Sequence, residues 1–173
     1  MKQVFIKKGE GMVAEVPAPT VSPNTILVRV HYSCISAGTE ASDLSSYDHS
    51  LVKRAVKQPQ NLTKAFDHLR KEGLAKTISK IKNRGGQAEP TGYSAAGEVV
   101  KAGAKIKNIN PGDKAACAGA GIANHAEYIE VPENLFVKIP EGVSLTDAST
   151  VALGAIALQG VRRADLKLGE YAA

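Results

Sequence analysis

The sequence predicts a mainly β protein, a small barrel or sandwich, with a helical insertion and a C-terminal helix. Three observations carry this. Short apolar segments alternate with Gly, Pro and Asn turns at both ends of the chain. A central block, about residues 50–88, switches to apolar spacings of three and four. An Ala- and Leu-rich run follows Ser144. A chain of 173 residues holds one domain with a real core, or one domain and part of another.

The elements follow in order. “QVFIKK” and “MVAEVP” read as strands joined by a turn at Gly9–Gly11, and “PAPTVSPN” as a further turn. “TILVRVHYSCIS” alternates with period two, putting Ile26, Val28 and Val30 on one face and Leu27 and Arg29 on the other. From Pro59 to Lys82, Leu62, Phe66, Leu69, Leu74, Ile78 and Ile81 form one narrow apolar stripe broken by Gly73. “GEVVKAG” returns to β. A Pro-Gly-Asp turn at 111–113 then leads into a buried strand, and “HAEYIEVP” and “LFVKIP” add two more. Ser144 or Thr146 caps the final helix, which should run to about Arg163.

Charge and cysteine usage narrow the function classes. The net charge of +5 is concentrated, since residues 51–84 hold ten basic and two acidic residues and the rest of the chain carries −3. A basic face can bind nucleic acid. Here it has one aromatic, Phe66, no zinc-finger spacing and no Gly/Arg repeat, so a solvated helix face is the better reading. Cys34 and Cys117 form no C-x-x-C pattern, and the N-terminus is too polar for a signal peptide. No apolar run reaches membrane-spanning length. A cytoplasmic protein without a membrane partner is expected.

Four blocks carry a resemblance: “ISAGTE” (35–40), “PTGYSAAGEVVKAG” (90–103), “NPGDKAA” (110–116) and “HAEYIEVPENLFVKIPEGVSLTDAS” (125–149). Their order and spacing resemble the N-terminal catalytic domain of the medium-chain dehydrogenase/reductase superfamily, the zinc alcohol dehydrogenase relatives with a GroES-like barrel. The insertion, with “ISAGTE” and “GYSAAGEV”, is similar to a zinc-less subgroup of bacterial two-part oxidoreductases. The resemblance implies a GroES-like catalytic domain over 1–143. Residues 144–173 would be a helix and the start of a truncated nucleotide-binding domain. The family continues after “LKLGE” into a strand and a G-x-G-x-x-G turn for dinucleotide pyrophosphate. Gly119-x-Gly121 precedes a strand instead of a helix, so the cofactor domain, a Rossmann fold, is expected to be missing from this chain.

The resemblance also locates the site. Zinc in such enzymes takes Cys, His and a second Cys or Glu, with one position open. Ala37 stands at the first ligand position, Tyr93 at the histidine, Ser94 at the following glutamate, and Ala155 near the third ligand. No zinc is expected. NAD or NADP would then supply the hydride, with protein groups managing charge on the substrate. The candidate catalytic residues are Thr39, Tyr93 and Ser94, with Ser36 behind them, and Gln159 is the candidate cofactor contact. Thr39 matches the hydroxyl that begins a proton relay, or else caps a helix. Tyr93 donates to a substrate oxygen, or else fills the space of an absent zinc site. Phenols are poor bases near neutrality, so donation suits tyrosine better. Glu40 matches an acidic residue that orients its surroundings. The four histidines, His125 included, follow no motif and read as structural or surface residues.

The expected function is an NAD(P)-dependent, zinc-independent dehydrogenase or reductase acting on a small alcohol, sugar, carbonyl or quinone. The 173-residue chain alone should be inactive. The alternative is a non-catalytic binding or assembly barrel using the basic insertion. That insertion is also open to use as a lid or as the interface of a homo-oligomer.

Overall fold

The computed structural model describes residues 1–7, 9–38, 88–165, 167 and 169–170. The expected insertion lies outside the described residues apart from its last position, and Thr39 and Glu40 lie outside them too. The described chain is mostly strand. In order it contains β1 (Lys2–Lys7), β2 (Glu10–Glu15), β3 (Thr25–Ser33), β4 (Glu89–Pro90), β5 (Ser94–Ala102), β6 (Lys114–Ala118), β7 (Tyr128–Pro132) and β8 (Phe136–Lys138). The 3-10 turn Glu133–Leu135 joins β7 to β8. Helices α1 (Leu145–Ala148) and α2 (Val151–Ala164) follow.

Contacts divide the chain into two compact units. Unit one holds Met1–Gln3, Glu15–Ile35 and Thr91–Ala173, and unit two holds Val4–Ala14 and Ser36–Pro90. In unit two, β1 lies between β2 and β4, with Phe5 opposite Pro90 and Ile6 opposite Glu89. Unit one is built on a five-stranded sheet of order β7-β3-β5-β6-β8, in which every pairing is antiparallel. This is the mainly β, GroES-like architecture expected.

β3 forms because its β-branched residues suit a pleated surface and alternate. Ile26 and Val28 are fully buried, and Val30 packs on the same cluster with Val99, Ile109, Cys117, Ile129 and Val131. Removing an isoleucine or valine side chain of this kind from water contributes about 1.5–3 kcal/mol. On the opposite face Arg29 reaches Glu98 at 2.7 Å, an exposed pair that contributes little. The Pro111–Asp113 turn is fixed by the Asp113 carboxylate, which accepts from the Asn110 amide at 2.8 Å and meets Lys138 at 2.7 Å.

β5 is the strand that positions the site, and both of its faces are covered. Ala95 enters the main core, while Ala96 packs with Ala116 and Ile139 beneath Leu145, Ala148 and Val151. Larger side chains would push the helices off the sheet. At Gly97 a Cβ would collide with the Arg29 carbonyl, so β3 and β5 can approach only with glycine there.

The expected single helix after Ser144 is two helices. Ser144 does cap the first, its Oγ accepting from the Asp147 amide at 3.0 Å. The break falls at Ser149–Thr150, whose hydroxyls donate back to the Thr146 and Asp147 carbonyls, and the Ser94 hydroxyl bridges it. Cys34, inside the segment expected to be strand, lies one residue beyond β3 and is half-buried.

Candidate active site

The head of β5 is built by close backbone contact. Gly92 has φ +102°, and a Cβ on it would lie 2.6 Å from the His125 amide nitrogen. Only glycine combines that angle with that approach. Around it, the His125 amide donates to the Thr91 carbonyl at 2.9 Å, and the Gly119 amide donates to the Tyr93 carbonyl at 2.8 Å. On the β3 side the Cys34 amide donates to the Ser94 carbonyl at 2.9 Å. The bend bearing Tyr93 is therefore held from two directions, by the 119–125 turn and by the end of β3. Tyr93 itself is half-buried at the strand's mouth.

Ser94, the next residue, is fully buried. Its Oγ donates to the Ser149 carbonyl at 2.6 Å and accepts from the Ala152 amide at 3.1 Å. Thr150 leaves the start of α2 without a side-chain cap, so the Ser94 hydroxyl supplies one from across the fold. The Ser94 hydroxyl is thus engaged both as donor and as acceptor.

The other candidates are spread over the chain. Ala37 is exposed and belongs to unit two, as does half-buried Ser36. Ala155 and Gln159 are exposed on α2. With them, Leu153, Ile156, Leu158 and Val161 are 40–66% exposed, an apolar surface running around the helix. Among the described residues no three His, Cys, Asp or Glu side chains converge as a metal site would require. Methyl groups cannot ligate, so Ala37 and Ala155, which the resemblance matches to ligand positions, offer a zinc ion no donor. Cys117, on β6 opposite Ala95, is sealed in the core, and burial pushes its thiol up to about 12. A groove of about 390 Å³ lined by Met1, Pro17, Ile122, Asn124 and Glu130 among others excludes both Tyr93 and Ser94. Among the described residues, no helix is long and apolar enough to cross a membrane.

One residue was not singled out by sequence. His125 Nδ1 and Ser33 Oγ are hydrogen-bonded at 2.8 Å, which joins the 119–125 turn to the end of β3. The sole sequence signal was position, since His125 opens the segment that returns to β7.

No family model matches the chain. It is similar to the (R,R)-butanediol dehydrogenase of Bacillus subtilis (strain 168), with 29% identity over a stretch covering 47% of this chain and 30% of that protein. Among solved structures, the quinone oxidoreductase of Coxiella burnetii matches with a TM-score of 0.67 and 18% identity, over 98% of this chain and 47% of that one. The Escherichia coli quinone oxidoreductase complexed with NADPH matches with a TM-score of 0.59 and 14% identity, over 96% of this chain and 42% of that one. The chain therefore spans less than half the length of each. The chain has the GroES-like fold found in the matching part of these oxidoreductases.

Proposed function

We propose that this chain is the catalytic barrel of a zinc-independent, NAD(P)-dependent oxidoreductase. The observation that carries the proposal is the doubly anchored bend bearing Tyr93, a phenol that the sequence resemblance matches to the zinc-binding histidine of the family. The nicotinamide supplies or accepts the hydride when bound. Tyr93 donates a hydrogen bond to the substrate oxygen as charge develops there, from a site that needs no reorganisation. Ser94 takes no part in proton transfer in this scheme, because both sides of its hydroxyl are already used.

A phenol matches some acceptors better than others. Hydride addition to a quinone or an activated C=C leaves phenolate- or enolate-like charge, close in basicity to the donor. An alkoxide is far more basic and gains more from a metal ion. The proposed substrates are therefore quinones, enones or related carbonyl compounds, ahead of simple alcohols and sugars. Two of the structural neighbours are quinone oxidoreductases, one complexed with NADPH, and the sequence relative is a butanediol dehydrogenase.

The cofactor domain is proposed to cover α2. A helix apolar all round is a buried helix, and Leu153, Ile156, Leu158 and Val161 are exposed here. Gln159 on that helix remains the proposed cofactor contact, Thr39 a proposed relay hydroxyl, and 143/144 the proposed domain boundary. The alternative, a binding barrel using the basic insertion, draws on residues outside those described, and no observation favours it.

The test is nicotinamide absorbance with the complete gene product against quinones, enones, aldehydes and secondary alcohols. Turnover on the first two classes is expected, and Tyr93→Phe should lower kcat/KM about tenfold or more. No NAD(P)H binding or turnover on any class would overturn the proposal. So would stoichiometric zinc whose removal abolishes activity.

A further inference from the structure

The hydrogen bonds around Tyr93 close into a ring. From Ser33 the path crosses to His125 through the side chains at 2.8 Å. The His125 amide then reaches the Thr91 carbonyl at 2.9 Å. The chain runs through Gly92 and Tyr93 to the Ser94 carbonyl, which accepts from Cys34 at 2.9 Å, one residue from the start. Every link but one is backbone. The one side-chain link, Ser33 to His125, ties the 119–125 turn to β3.

We propose that Ser33 and His125 form a positioning clamp for Tyr93, fixing the bend from which the phenol meets the substrate. Its purpose rests on the catalytic reading above, but its existence does not. The clamp joins the turn to the end of β3, three residues past Val30, whose amide donates to the Glu127 carbonyl at 2.9 Å. The turn has reason to need holding. It supplies two amides to the bend, those of Gly119 and His125, and its backbone abuts Gly92 so closely that a Cβ would not fit. Any displacement of the turn is passed directly to residues 91–93. The serine hydroxyl both donates and accepts, so the pair closes with either tautomer of the ring.

Hydrogen exchange and ¹³C NMR on the 173-residue chain test this, with Ser33→Ala, His125→Ala and His125→Asn. Ser33→Ala should speed exchange of the His125 and Gly119 amides about fivefold, the effect of losing one net hydrogen bond. It should also move the Tyr93 Cζ resonance, while amides in β6 and β7 keep their protection. His125→Asn, whose carboxamide can still bond a hydroxyl, should restore much of the protection that His125→Ala loses. If His125→Ala fails to fold, Ser33→Ala decides alone. Unchanged exchange and an unchanged Tyr93 signal in Ser33→Ala overturn the clamp, whatever the activity of the whole protein. Altered exchange with no nicotinamide-dependent turnover in the complete gene product leaves the clamp standing and removes the catalytic reading.

Discussion

Replacing Ser94 by alanine separates a structural from a chemical role at this position. The substitution removes one oxygen and leaves almost no cavity, so its cost is close to that of the hydrogen bonds alone. Two are lost, to the Ser149 carbonyl at 2.6 Å and from the Ala152 amide at 3.1 Å, both buried. Each contributes about 1 kcal/mol net. The second is also the cap of α2, a class of interaction whose loss costs about 0.5–2 kcal/mol. Thr150 has no side-chain cap to replace it. The expected loss is about 2–3 kcal/mol. In a chain of this size that lowers Tm by about 5–10 °C. Urea denaturation followed by circular dichroism measures the free energy, and hydrogen exchange at Ala152 locates it. A loss under about 0.5 kcal/mol, with Ala152 still protected, would refute the capping argument and return Ser94 to the list of reactive hydroxyls.

Three further outcomes follow from the same geometry. Gly92→Ala should cost more than about 2 kcal/mol, because alanine is strained at positive φ and its Cβ would lie 2.6 Å from the His125 nitrogen; a wild-type Tm would contradict this. Asp113 is held below the ordinary carboxylate range by its bonds to Lys138 and the Asn110 amide, and Glu130 by bonds from Thr25 and Ser22. Their folded pKa values lie below the unfolded ones, so their stabilisation is complete above about pH 4.5 and drains away as pH falls through the folded values. The double variant Asp113→Asn, Glu130→Gln should therefore flatten the acid limb of a stability-versus-pH curve, and an unchanged limb would dismiss these two groups as its source. At pH 8, half-exposed Cys34 should react promptly with a thiol reagent. Cys117, its thiol pushed up to about 12 by burial, should react only in denaturant, and two fast thiols would contradict that.

The parts of the fold governed by local pattern were legible in the sequence. Period-two alternation identified β3 and placed Ile26 and Val28 in the core. Pro111-Gly112-Asp113 marked its turn, and Ser144 its cap. What escaped depends on partners distant in sequence. The break between α1 and α2 is bridged by a hydroxyl 55 residues earlier in the chain, and no periodicity in an Ala-rich run announces it. Cys34 has the composition of a strand residue, but β3 ends at Ser33 and the next amide bonds across to Ser94. His125 stood in no motif because its partner, Ser33, is 92 residues away. The bend before Tyr93 was readable because Gly92, which makes it, is a local signal.

The small residues of “SAAG” now have separate reasons. Ala95 and Ala96 are small because core and helix press on β5 from opposite sides, and Gly97 because β3 crosses there. Ser94 is a hydroxyl because the helix break needs one. Those four positions are accounted for by packing and hydrogen bonding, and half-buried Tyr93 adjoins them. The arrangement has a mechanical consequence as well. The first turn of α2 is fixed to Ser94, the residue adjoining that phenol, and the exposed apolar surface of α2 begins one position later at Leu153. Whatever packs on α2 therefore takes its position from the same strand that carries Tyr93. If a nicotinamide domain covers this helix, Ser94 sets the distance between hydride and phenol without touching either. Ser94→Ala in the complete enzyme should then lower kcat more than it raises KM. A change confined to KM would show that α2 keeps its register without this bond.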